Sequence, residues 1–97
     1  MQLYAILRRH GWRTPEDLQA AADRSAAEGE KRPDDIGWIR SYVLQEEDGT
    51  VGTVCIYEAS SPEAVREHAS AADLPVDEVI PVADTVVVRE DPQPAAS

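Results

Sequence analysis

His68, Tyr42, Tyr57 and Arg40 are the side chains of this sequence best equipped for chemistry. A histidine with two phenols in hydrogen-bond reach can move protons to or from an enolisable or phenolic substrate, and a guanidinium can hold a developing oxyanion or a carboxylate. Trp38 and Cys55 fall in the same stretch as three of them, "GWIRSYVLQEEDGTVGTVCIYEAS" from Gly37 to Ser60. Trp38, Arg40, Tyr42, Cys55, Tyr57 and His68 together make a candidate ligand pocket. No nucleophile, base and acid occur at motif-like spacing, so no catalytic residue is assigned. Cys55, on a strand with no helix N-terminus beside it, reads as an inert buried thiol rather than a nucleophile.

Metal chemistry is limited by the supply of ligands. The two histidines are His10 and His68, and no C-x-x-C pair exists, so one chain provides no closed zinc or nickel site. A surface or intersubunit site would draw on His10, His68 and carboxylates such as Glu58 or Asp77.

These residues need elements to position them. "QLYAILRR" (Gln2 to Arg9) reads as a first strand ending before Gly11. In "TPEDLQAAADRSAAEGE", Thr14 is an N-cap, Pro15 suits the first helical position, and Glu16 and Asp17 favour the positive end of the helix dipole. Leu18, Ala21, Ala22, Ser25 and Ala26 share one face of this helix, and Gly29 is its expected stop. "IGWIRSYVLQ" and "TVGTVCIYEA" are the second and third strands, joined around Asp48-Gly49, a hairpin signal. "SPEAVREHASAADL" repeats the helix start, with Ser61 as N-cap and Pro62 behind it. Val65, His68, Ala69 and Ala72 share one face, and Leu74-Pro75 ends the helix. "DEVIPV" is a fourth strand and "TVVVRE" a candidate fifth.

The order β-α-β-β-α-β predicts an α+β, ferredoxin-like sandwich, an antiparallel sheet with both helices on one face. The domain spans residues 1–89, with 90–97 as a disordered tail. A chain of 97 residues without Phe and with Ala-rich helices has a thin core. The uncovered sheet face therefore predicts a homodimer built as an α+β barrel.

A two-residue turn at Asp48-Gly49 would place Tyr42 opposite Cys55 and Arg40 opposite Tyr57. Trp38, Arg40, Tyr42, Cys55 and Tyr57 then share one face, and Ile39, Ser41, Val43, Val54, Ile56 and Glu58 the other. If the aromatic face meets the helices, His68 lies across from Tyr42, Tyr57 and Cys55. If the Ile/Val face does, the aromatic side turns to the dimer interface.

Lys and Arg total 9 against 19 Asp and Glu, a formal charge of −10, which disfavours nucleic acid as a partner. No stretch approaches membrane length. The apolar run in "MQLYAILRRHG" is too short for a secretory leader and its charges follow it. With a single cysteine, this gives a cytoplasmic protein as the expectation.

"WIRSYV", "CIYEA", "SPEAVREHA" and "LPVDEVIPV", in that order, resemble a family of small bacterial proteins described as nickel-binding ferredoxin-like proteins. The resemblance covers Leu3 to Val82. It implies a dimeric ferredoxin-like domain and a nickel ion bound in at least some members. Trp38, Ser41, Tyr42, Cys55, Tyr57 and His68 match the family's motifs. Arg40 stands where many relatives read W-x-H-S-Y, so a guanidinium replaces a histidine that could coordinate metal.

The leading expectation is thus a small dimer that binds a metal of the nickel type or a small ligand. A second is an acid-base enzyme, resembling a cyclase, isomerase or monooxygenase, acting on a small organic molecule between helices and sheet. A third is a structural interaction module.

Overall fold

A computed structural model describes residues 1–93. Six elements follow one another: β1 (Gln2–Trp12), α1 (Pro15–Glu30), β2 (Ile36–Gln45), β3 (Val51–Ala59), α2 (Pro62–Ala71) and β4 (Glu78–Pro81). The strands form one antiparallel sheet in the order β2-β3-β1-β4, the ferredoxin-like arrangement. The residues expected to form the tail from position 94 onward lie outside those described.

Both helices start as their sequences predict. Thr14 Oγ1 accepts the Asp17 N–H at 3.1 Å and Ser61 Oγ accepts the Ala64 N–H at 3.1 Å, each satisfying one orphan donor of a first turn. The ends differ from expectation. Gly29 does not stop α1, which runs on through Glu30; Pro33, which disfavours helical backbone at the residue before it, closes the path instead. α2 stops at Ala71, three residues before Leu74, because Asp73 adopts a left-handed φ of 56°. The Leu74 N–H then bonds Ala69 O and the Asp73 N–H bonds Ser70 O, the paired bonds of a Schellman end made without glycine. Arg24 of α1 completes that end by donating from Nε to Ala72 O at 2.8 Å and from Nη2 to Asp73 O at 3.2 Å.

Alternation along the two central strands builds the helix-facing side of the sheet. Tyr4, Ile6 and Arg8 of β1 pair with Tyr57, Cys55 and Thr53 of β3, and all six are buried. Ile36, Ala59 and Val65 complete the apolar core, with Ala64, Val76 and Val79 packed against it.

β1 continues past Arg9 to Trp12 through an irregularity between Arg8 and Trp12, where His10 has φ 52°. Glu46 holds this kink. Its carboxylate accepts the His10 N–H at 2.8 Å and is gripped by the Arg9 guanidinium at 2.7 to 3.1 Å. The Arg9 hydrogen bonds, above all, hold the Glu46 carboxyl well below the usual range, at about 2.

The run Thr85 to Glu90 is not a fifth strand. It passes over the outer sheet face beside Leu3, Ile56 and Tyr42 rather than along a sheet edge, where ladder partners would be found, and Val86, Val87 and Val88 stay exposed.

Candidate functional site

The β2-β3 hairpin decides which side chains can meet, and its register departs from the two-residue turn. Glu46 N–H bonds Thr50 O, Gly49 N–H bonds Glu46 O, and Gly49 takes φ 87°, so the loop has one more residue than expected. Tyr42 therefore pairs with Val54 and Ser41 with Cys55. A second shift, a bulge between Trp38 and Arg40, sets Trp38, rather than Arg40, opposite Tyr57.

The expected six-residue cluster is split by these two shifts. Trp38, Cys55 and Tyr57 lie on the helix side with His68, the first of the two arrangements weighed from the sequence. Arg40 and Tyr42 lie on the outer face, where the Arg40 Nη1 donates to Tyr42 Oη at 3.2 Å and Tyr42 Oη donates to Asp91 at 2.8 Å. Ser41 and Val43, expected outside, line the inner side instead.

Tyr57 is the centre of the inner group. Its ring stacks on Trp38 with centroids 5.9 Å apart and planes 2° from parallel, and the His68 ring lies 5.6 Å away on a tilt. Ser25 of α1 links them. Its Oγ is 2.6 Å from Tyr57 Oη and 3.1 Å from His68 Nε2, while the buried His68 Nδ1 has no partner among the described residues. Burial, first of all, raises the Tyr57 phenol above its ordinary value, and burial, followed by the charge of Arg8, lowers His68. Both groups are thus held neutral at neutral pH, as a hydrogen-bonded core chain. Cys55 is buried, with its Sγ 3.3 Å from Thr53 Oγ1.

A cavity of about 360 Å³ opens between α1 and the sheet on one side of this chain. Trp12, Leu18, Trp38, Cys55, Tyr57 and Leu74 wall it, and Ala21 and Ala22 leave the space that larger helix residues would fill. Arg8 also lines it, with Nη1 donating to Pro75 O at 2.7 Å. His68 borders a second cavity, of about 330 Å³, on the other side of Trp38 and Tyr57.

Ser25, Arg8, Thr53 and Gln19 are polar members that the candidate pocket read from the sequence did not include. The signals were present: Ser25 is the polar member of an otherwise Ala-rich inward stripe, and Arg8 continues the Tyr4, Ile6 alternation.

The candidate metal ligands do not converge. His10 lies at the hairpin tip, with Nδ1 3.1 Å from Asp48 Oδ2 and 3.0 Å from Thr50 Oγ1. His68 is buried against Tyr57, about seven residues farther along β3, roughly 20 Å at strand spacing. Glu58 stands across from Gly37 on β2. Asp77 accepts the Arg9 N–H at 2.5 Å. Among the described residues, no three His, Cys, Asp or Glu side chains gather as a metal ion would need. No described helix is long and apolar enough to cross a membrane.

Residues 4–82 match the family described as nickel responsive protein SCO4226-like. The chain belongs to this family. Among solved structures, the SCO4226-like fold is seen in the crystal structure of SCO4226 from Streptomyces coelicolor A3(2), with a TM-score of 0.67 and 17% identity over 89% of this chain and 100% of that one. At that identity the likeness concerns the fold. No curated protein matches. The SCO4226-like name carries nickel responsiveness, yet the donor set of the described residues does not fit a resident nickel centre: Arg9 occupies the Glu46 carboxylate, no second His, Cys, Asp or Glu ligand among them stands beside His68, and Arg40 offers no lone pair.

Proposed function

We propose that this SCO4226-like domain binds a small organic molecule in the cavity between α1 and the sheet. The cavity itself carries the reading: about 360 Å³ of space, mostly apolar walls and two tryptophans at its rim, within the size range of small-molecule sites. Binding is favoured over acid-base catalysis because His68, the candidate base, does not line this cavity: it borders the second one, with its Nε2 3.1 Å from Ser25 Oγ. Titrating the full chain with indole, a neutral aromatic, and following amide NMR shifts tests this. Shifts should concentrate on α1, Cys55 and Leu74, and Ala22→Leu, which narrows the cavity, should remove them while the rest of the spectrum stays folded. No shifts at millimolar indole, or shifts that survive Ala22→Leu, would defeat the reading.

We further propose that the domain self-associates through its outer sheet face. Ile39 and Tyr42 are 48% and 42% exposed there, beside Leu3 and Ile56, an apolar surface that the segment 84–91 covers only loosely. Light scattering at micromolar concentration should report a dimer, and Ile39→Lys a monomer. A monomeric parent chain would count against it.

A further inference from the structure

We propose that the molecule held in the cavity is an anion, a carboxylate on a compact apolar body, and that Arg8 is its binding residue. This rests on the reading of the cavity as a small-molecule site and adds the chemistry of its occupant.

Arg8 is 2% exposed, the one arginine among the described residues that is buried. Its close hydrogen-bond partner among those residues is a single carbonyl, Pro75 O at 2.7 Å, with the neutral Tyr57 phenol as a second polar neighbour, and it joins none of the ion pairs. A guanidinium carries five N–H donors and is charged at every accessible pH, so one carbonyl leaves most of its hydrogen-bonding capacity and all of its charge uncompensated. Burying a cation in this way is costly unless a counter-charge arrives. The chain has 19 acidic side chains and a formal charge of −10, yet none is within ion-pair distance of Arg8 among the described residues. The other buried charged side chain, Glu46, has its own arginine. The counter-ion for Arg8 is therefore left to come from outside, through the cavity that Arg8 lines.

The walls restrict what that anion is attached to. Trp12, Leu18, Trp38 and Leu74 offer no compensation to a strongly hydrated dianion, whereas they suit a ring or short hydrocarbon. A carboxylate matches the planar fork of a guanidinium in a two-point contact, and the Thr53 hydroxyl, paired across from Arg8, lies on the same wall.

The experiment compares 3-phenylpropionate with its neutral isostere 3-phenylpropionamide, and with inorganic phosphate, by tryptophan fluorescence of the full chain, since both tryptophans line the cavity. A charge-assisted contact to Arg8 should make the carboxylate bind about tenfold tighter or better than the amide. Arg8→Gln should bring the two to parity while amide binding persists. If Arg8→Gln fails to fold, the comparison in the unmodified chain still decides. Equal affinity for carboxylate and amide would overturn the anion assignment and leave the cavity reading standing. Silence from both probes would overturn both, and saturable binding of phosphate alone would overturn the apolar body.

Discussion

Replacing Tyr57 with Ala should cost about 3–5 kcal/mol of folding stability, the range for deleting a large buried aromatic. Tyr57 is 1% exposed, so the truncation leaves a void under the Trp38 stack and beside His68 that the rigid sheet cannot close. It also removes one of the two partners of the Ser25 hydroxyl. Against a total stability on the order of 5–15 kcal/mol for a domain, this takes the chain close to its unfolding threshold. Tyr57→Phe separates the contributions: it keeps the ring and should cost only about 1 kcal/mol for the lost hydroxyl contact. Urea unfolding of both variants checks this, and a Tyr57→Ala chain as stable as Tyr57→Phe would show that the ring is not the keystone described above.

Gly52→Ala is the second large effect, and its cause is contact rather than lost volume. A methyl group at Gly52 would stand 2.7 Å from Arg8 O and 2.8 Å from Glu46 Oε2. The first of these atoms is backbone of the neighbouring strand, and the second is pinned by Arg9 Nε–H and the His10 N–H. Neither yields without separating β1 from β3 at the kink, so the loss should be about 1–3 kcal/mol, as for other overpacked sites. Gly49→Ala provides the contrast. No heavy atom comes within 4 Å of a methyl there, and only its φ of 87° opposes the change. Thermal unfolding should rank Gly52→Ala below both Gly49→Ala and the parent; the reverse order would mean that the strands part easily.

The fold was legible because its signals are local and agree with one another. The Thr14-Pro15 and Ser61-Pro62 starts, the inward stripe through Val65, His68 and Ala69, and the strand alternation each depend on neighbours a few residues away. The site was legible only in part, because it depends on parity. One extra residue in the Glu46 to Thr50 loop, and one at the Trp38 to Arg40 bulge, each reverse which side chains face the helices. Trp38 lies beyond both shifts and lands where alternation placed it; Arg40 and Tyr42 lie between them and do not. Asp48-Gly49 suits a two-residue turn and a three-residue loop alike, and nothing in "WIR" announces a bulge. Arg8 was hidden for a different reason: a charged side chain is ordinarily assigned to the surface, and only the closure of α1 and Leu74 over β1 takes it out of water.

The contact of Arg24 with the end of α2 also sets how the helical layer comes apart. α2 has 10 residues, too few to persist as an isolated helix in water. The two carbonyls that follow its last turn, Ala72 O and Asp73 O, are held from α1, so fraying of α1 around Arg24 would loosen the end of α2, and melting of α2 would leave the guanidinium without these partners. The two helices are thus coupled through one side chain, and hydrogen exchange should find their amides opening together. Because α1 lines the cavity, the proposed occupant would then exchange with solvent at the pace of that shared opening rather than of a single loop.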